Sequence, residues 1–394
     1  MLQLPFNEAT HALLRHDRIF LELLSGFRAF PRKGLEQGVL PGPHKPKKAM
    51  KPDQIVSDGR PLTSCSLTLP AAGGEASALR QVHLSPEVTE TLRDYLDTLL
   101  HLTQPQTQDE FLRLGERAAD ALASFAPDLL ALAHDLNRPD GPTAAQITGL
   151  PVNAITEVTE PTPLSDLVTL GLAKLFGEPF QYREQNGGQL IARLTPKPEY
   201  AGRANTGESN LTFNDHTDDR PWAPDYSVEL ILLVGVVNDV AAPTTFTPID
   251  PILAQLSPEE IAVLSEPRFV SALPKSFGLG DALTPPLPVL WKSATGEVEV
   301  GLPTYSIRVA DPADIVAQCA LTRILEVVAN PPVRHAVVVG RSAALVVRNN
   351  RGLHGRAGFD GRRLVLRCYI RESLANLQAK SGEAGPVFDA KKLL

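Results

Sequence analysis

Residues 343–371 read AALVVRNNRGLHGRAGFDGRRLVLRCYIR. An apolar run breaks at Asn349-Asn350-Arg351-Gly352, and a second begins after Phe359-Asp360-Gly361. β-Branched and aliphatic runs punctuated by Gly, Asn and Asp predict strands joined by turns. On the second strand, even-numbered separations put Arg363, Val365, Arg367, Tyr369 and Arg371 on one face, and Leu364, Leu366, Cys368 and Ile370 on the other. The apolar face belongs against a core. Two settings suit the arginines: a salt-bridged sheet surface, or a barrel interior where a bound organic carboxylate neutralises a guanidinium.

The same texture extends back to about residue 189. QLIARLTP, SNLTFNDHTD, YSVELILLVGVV, TTFTPID, PVLWKS, VEVGL and HAVVVG are further short runs bounded by Pro, Gly, Asn and Asp. Their spacing predicts a sandwich or jelly-roll barrel. Two helices interrupt it: SPEEIAVLSE, with a capping box at Ser257 and Glu260, and an apolar helix over 314–328. Ahead of the strands lie helical patterns: one opened by Ser85-Pro86-Glu87, one over 108–134, and one from near Ser165 to the Gly177-Glu178-Pro179 break. The expected class is α+β, with a jelly-roll core over 181–375 and a flanking helical layer over 80–180. Together these make one domain over 61–394. Residues 1–60 read as an arm containing PGPHKPKKAMKPD, too rich in proline for helix or ladder, hence a tether or a docking segment.

Composition narrows the function. The chain has 394 residues, 38 basic against 45 acidic, for a net charge of −7. That balance gives no support to a nucleic-acid or anionic-membrane partner. The longest apolar run, LILLVGVV, is far short of the roughly 18 residues of a membrane span. Three distant cysteines offer neither a disulfide framework nor a CxxC knuckle, and no signal-peptide core opens the chain, so a reducing, cytoplasmic setting is the default. Oligomeric state is not legible.

Of nine histidines, seven (His11, His16, His44, His83, His101, His134 and His335) have no acidic residue or second histidine two positions on. His216 differs. In Asn214-Asp215-His216-Thr217-Asp218, at the end of a strand, His216 and Asp218 project from the same face and can reach one cation. With nine histidines and 45 acidic residues in the chain, about one such pair arises by chance, so the pair alone is weak. His354, at the edge of the strand quoted first, would complete a 2-His-1-carboxylate triad. That ligand set leaves coordination positions open and belongs to non-haem Fe(II) oxygenases.

The ordered set HTD, PDY before a buried strand, PTTF, SPEEIAVLSEPRF, NRGLHGR and FDGRRLVLR resembles the Fe(II)/2-oxoglutarate dioxygenases of the clavaminate synthase-like branch of the taurine dioxygenase superfamily. The branch includes hydroxylases of free asparagine and arginine in antibiotic biosynthesis. The resemblance covers roughly residues 177–373. It implies a double-stranded β-helix, Fe(II) held by His216, Asp218 and His354, and 2-oxoglutarate and O2 as cosubstrates. It further implies that Arg367 holds the distal carboxylate of 2-oxoglutarate, assisted by Thr244, or by Thr245 if the register slips. Gln185 and Arg371 would line the substrate pocket, Arg371 on a substrate carboxylate. The implied reaction couples decarboxylation of 2-oxoglutarate to hydroxylation of an unactivated C–H in a free or carrier-bound amino acid of secondary metabolism; desaturation and cyclisation are variants. Residues 201–209 and 274–288, rich in Gly or Pro, are expected lids.

Two departures stand out. The amino-acid hydroxylases of the branch usually carry His-x-Glu. Where some relatives grip a basic or amide side chain with acids, GLPTYSIRVAD offers Tyr305, Ser306 and Arg308. Asp218 argues against a halogenase, which keeps that position for halide. The competing readings are a non-catalytic jelly-roll binding module and a metal-dependent hydrolase or isomerase, and the latter lacks a further ligand near the two histidines.

Overall fold

The computed structural model describes residues 79–218, 224–273, 277–278 and 282–393. The expected arm, with His11, His16 and His44, and also Cys65, lies outside the described residues. In chain order the first elements are β1 (Arg80–His83), α1 (Pro86–Thr103), α2 (Gln108–Phe125), α3 (Pro127–Leu136), β2 (Ala144–Thr148), α4 (Pro163–Phe176), β3 (Glu178–Tyr182) and β4 (Ile191–Leu194). Next come β5 (Phe213–His216), β6 (Leu230–Asn238), β7 (Pro243–Pro248), α5 (Ile249–Leu253), α6 (Pro258–Leu264), β8 (Phe269–Ser271), β9 (Leu290–Lys292), β10 (Val298–Val300) and β11 (Ile307–Val309). The last are α7 (Ile315–Ala329), β12 (His335–Val338), β13 (Ala343–Arg348), β14 (Gly352–Arg356), β15 (Arg363–Arg371), α8 (Ala375–Ser381) and β16 (Val387–Phe388).

Helix ends follow the local chemistry. Ser85 caps α1 by accepting from the Val88 N–H, with Pro86 in the first turn, where its missing N–H costs nothing. Capping boxes start α2 (Thr107 with Glu110) and α6 (Ser257 with Glu260). The single helix expected over 108–134 is two. α2 ends at Phe125, and Pro127 begins α3 because proline cannot donate back into the preceding turn. α2 and α4 approach closely where Gly171 meets Ala118: a Cβ on Gly171 would lie 2.7 Å from the Ala118 Cβ.

The main sheet runs β1-β2-β13-β6-β15-β3-β16, with β4 also paired to β15. The second sheet is β12-β7-β14-β5. β6 is the apolar spine of the main sheet, paired on one side with β13 and on the other with β15. The two faces of the main sheet behave as the alternation requires. Leu232, Val234, Val346, Leu366, Cys368 and Ile370 pack under the helices with Leu122, Leu132 and Leu172. Ile231, Leu233, Leu345, Val347, Val365 and Tyr369 face inward, where they meet Phe246 of β7 and Val337 of β12. Burying each such aliphatic side chain contributes roughly 1.5–3 kcal/mol. A third cluster, with Ile249, Phe269, Leu290 and Ile324, packs through Leu353 against β14.

The boundary expected at residue 180 does not separate helices from strands. β1, β2 and β3, all within 80–182, join the main sheet, and β2 pairs with β13. These strands are four or five residues long and owe their conformation to distant partners, so no local pattern marks them. Among the described residues no helix is long and apolar enough to cross a membrane.

Candidate metal centre

His216 closes β5 and His354 lies at the middle of β14, and the two are cross-strand partners. Their ring centroids are 4.5 Å apart. Asp218 follows two residues after His216. One ligand atom from each of the three lies within 4.8 Å of the others, and all three residues are buried. The segment is held from both sides. The Thr217 side chain points away, its Oγ1 accepting from the Leu302 N–H (2.8 Å), while the Asn349 amide accepts from the Asp218 N–H (2.8 Å) and donates to the Asp218 and Val228 carbonyls.

Asp215 locks the opposite face of β5. Its carboxylate accepts from Thr245 Oγ1 (2.6 Å), Thr247 Oγ1 (2.9 Å) and Arg334 Nε (3.0 Å), tying β5 to β7. This explains the glycine after His354: a Cβ on Gly355 would sit 2.4 Å from Asp215 Oδ1. Asp215, Arg334 and Asn349 were not assigned roles by the sequence; Asp215 and Asn349 lie in polar stretches beside the two histidines, whereas nothing in PPVRHAVVVG marks Arg334.

The His216 tautomer follows from its partners. Nδ1 lies 2.7 Å from the Asn214 carbonyl, which only accepts, so Nδ1 carries the hydrogen. With Nδ1 so occupied, Nε2 faces Asp218 Oδ1, 3.0 Å away. A ring nitrogen and a carboxylate oxygen this close call for a cation between them, a proton on Nε2 or a metal ion. Ligands about 2.1 Å from one ion and at right angles stand about 3 Å apart, which is this spacing. His354 Nε2 is 3.6 Å from the same oxygen.

Electrostatics agree with a ligand set. Burial alone would raise the Asp218 carboxyl, but Arg367, His216 and His354 together hold it well below the usual carboxylate range. Burial, with His216 and Arg367, pushes His354 down to about 4 against the pull of Asp218. His354 is therefore a neutral donor at pH 7. An unfolded imidazole takes up its proton near pH 6.5. Between that value and about 4 the unfolded chain binds a proton that the folded chain refuses, so stability falls as pH is lowered through this window. The melting temperature of the metal-free protein is expected to drop from pH 6.5 to 4, and less steeply in His354→Asn.

No protein-family profile matches the chain. L-asparagine oxygenase of Streptomyces coelicolor is 26% identical over 288 residues, 68% of this chain and 82% of that protein. The crystal structure of an asparagine oxygenase with Fe(II), 2S,3S-3-hydroxyasparagine and succinate superposes with a TM-score of 0.67 at 20% identity, covering 79% of this chain and 99% of that one. The non-haem iron oxygenase OrfP with Fe and alpha-ketoglutaric acid gives a TM-score of 0.67 at 22% identity, over 79% and 100%. This chain has the fold of these oxygenases.

Within that oxygenase fold, the remaining expected residues fall into place unevenly. Thr244 faces inward on β7 alongside Phe246 and is buried, and its hydroxyl has no hydrogen-bond partner among the described residues. Thr245 points the other way, onto Asp215. Gln185 is buried just beyond β3, its N–H on the Tyr182 carbonyl (3.1 Å).

The three arginines of β15 have different partners. Arg371, expected on a substrate carboxylate, is buried in an ion pair with Glu229 (2.6 Å) and donates to the Ser227 and Ser373 carbonyls. Arg367, expected on the distal carboxylate of 2-oxoglutarate, donates to Asp218 Oδ2 (2.9 Å) and lies over the Tyr369 ring (4.3 Å). Arg363, given no role by the sequence, is 3% exposed and has no hydrogen bond or ion pair to any described residue. Its neighbour Arg356, in register with Thr244, spends its donors on the Ser209 and Leu211 carbonyls. Burial, reinforced by Arg356, pushes the Arg363 guanidinium down to about 9. Both guanidiniums lie over the Phe359 ring.

Proposed function

We propose that the chain is a non-haem Fe(II)/2-oxoglutarate-dependent oxygenase that hydroxylates an unactivated C–H of a free or carrier-bound amino acid. The observation that carries this reading is the buried convergence of His216, Asp218 and His354, with His216 Nδ1 turned onto a backbone carbonyl and Nε2 facing the carboxylate. The two inward-packed sheets are read as a double-stranded β-helix with the centre at one end. Iron bound there would supply the oxidative chemistry, activating O2 as 2-oxoglutarate is decarboxylated to succinate.

The protein supplies ligands, charge and a dry site. Arg363 takes over the role expected of Arg367. A buried guanidinium without an acceptor is costly, and a carboxylate restores the balance with two charge-assisted hydrogen bonds. The Thr244 hydroxyl, inward and unpartnered among the described residues, is its companion donor. Arg367, already at the centre through Asp218, is the guanidinium we assign to a substrate carboxylate, since Arg371 is neutralised by Glu229. Arg356 ties the preceding loop, 203–212, to the same end. An amino-acid substrate accords with the hydroxylated asparagine and hydroxylated arginine named in the complexes of the structurally similar oxygenases.

Anaerobic addition of Fe(II) and then 2-oxoglutarate to the metal-free protein is expected to develop a visible metal-to-ligand charge-transfer band. Aerobic turnover with amino acids should release succinate. Absence of both the band and succinate would sink the oxygenase reading.

A further inference from the structure

We propose that Tyr369 is a positioning residue that holds the Asp218 carboxylate so that only Oδ1 is offered to the metal; the inference rests on the Fe(II) reading of the centre. Tyr369 lies on the inward face of β15 and is 1% exposed. Its hydroxyl donates to Asp218 Oδ2 at 3.0 Å, and Arg367 donates to the same oxygen at 2.9 Å. Oδ1 is the oxygen that faces His216 Nε2 and His354 Nε2, at 3.0 and 3.6 Å. The carboxylate is thereby divided: one oxygen toward the histidines, the other under two donors.

The division matters for coordination. A carboxylate bound through one oxygen uses one position and leaves three of six for other ligands, whereas swinging Oδ2 onto the ion would close another. Tyr369 opposes that swing twice. Its hydroxyl holds Oδ2 directly, and its ring face supports Arg367 from 4.3 Å, a cation–π contact that keeps the second donor in place. The ring is itself braced by Phe180 and Tyr182, with centroids at 6.1 and 6.5 Å. Phenylalanine would fill the same volume. The hydroxyl is therefore the informative atom: it is buried, and its acceptor is a metal-facing carboxylate rather than a backbone carbonyl. Outer-shell partners of this kind orient ligands, and their loss commonly costs 10–100-fold in metal affinity or activity.

Tyr369→Phe, which keeps the ring packing, tests this with Co(II) as the probe. The unaltered chain is expected to bind Co(II) with a defined visible spectrum. Tyr369→Phe should show altered Co(II) bands and an affinity about 10–100-fold weaker. Tyr182→Phe, which removes a neighbouring hydroxyl bonded to the Tyr226 carbonyl, should leave the bands unchanged. A Tyr369→Phe spectrum identical to that of the unaltered chain overturns the proposal, as does an equal change in Tyr182→Phe. The chain grown with 3-fluorotyrosine, a stronger phenol donor, should also shift the bands; no shift counts against the proposal without requiring any variant to fold. An unaltered chain that takes up no Co(II) removes the metal centre itself, and this inference with it.

Discussion

Asp218→Ala is expected to abolish iron-dependent succinate formation while leaving the fold intact. The substitution removes the anionic ligand, and two imidazoles remain to hold a divalent cation. It also strips Arg367 and Tyr369 of the acceptor they share, so the charge that balanced the guanidinium goes with the ligand. The loss should exceed the roughly 100-fold typical of removing an outer-shell partner, because here the ligand itself is gone. Stability should change less than activity. Arg367 retains some access to water, its side chain 19% exposed, so its guanidinium is not sealed in apolar surroundings. Asp218→Glu, which restores a carboxylate on a longer stem, should recover part of the activity. Succinate release and circular dichroism on the same samples check the result. Full iron-dependent turnover by Asp218→Ala would exclude the ligand assignment.

Arg363→Gln is expected to raise the KM for 2-oxoglutarate roughly 10- to 150-fold with a smaller change in kcat, since a lost hydrogen bond to a charged group is worth about 1.5–3 kcal/mol. A second consequence has the opposite sign. Arg363 is buried with no acceptor among the described residues, so it is a liability in the absence of cosubstrate. Arg363→Met should therefore melt at a higher temperature than the unaltered chain without 2-oxoglutarate. The order should reverse, or the gap close, at saturating 2-oxoglutarate, which stabilises only a chain that binds it. Initial rates and melting curves with and without cosubstrate separate the two effects. An unchanged KM in Arg363→Gln, with a large rise in Arg367→Gln, would return the distal carboxylate to Arg367.

The contrast among three arginines shows where a strand pattern stops being informative. Positions 363, 367 and 371 share one face, and period-two alternation states that much correctly. It cannot tell which end of the strand lies beside His216 and His354. Here Arg371 meets Glu229 of the segment entering β6, Arg367 meets Asp218, and Arg363 is left without an acid. Those differences are made by neighbours more than a hundred residues away in sequence. Thr244 and Thr245 pose the same problem in reverse: alternation puts them on opposite faces, and only the position of Asp215 behind β7 shows which one faces outward.

Much of the architecture was legible because it is written in local chemistry. The capping box at Ser257, proline after Ser85, and the continuous apolar run of β6 each specify their element without reference to the rest of the chain. The shared face of His216 and Asp218 was legible too, because residues two apart on a strand project together wherever that strand goes. What only the tertiary structure decided was pairing: that β2 joins β13, that His354 sits opposite His216, and that Asp218 meets Arg367 and Tyr369 through one oxygen while offering the other to the imidazoles. The physical reason is range. Capping, alternation and turn preference act over a few residues, whereas the burial and charge of a side chain depend on which distant strands pack beside it.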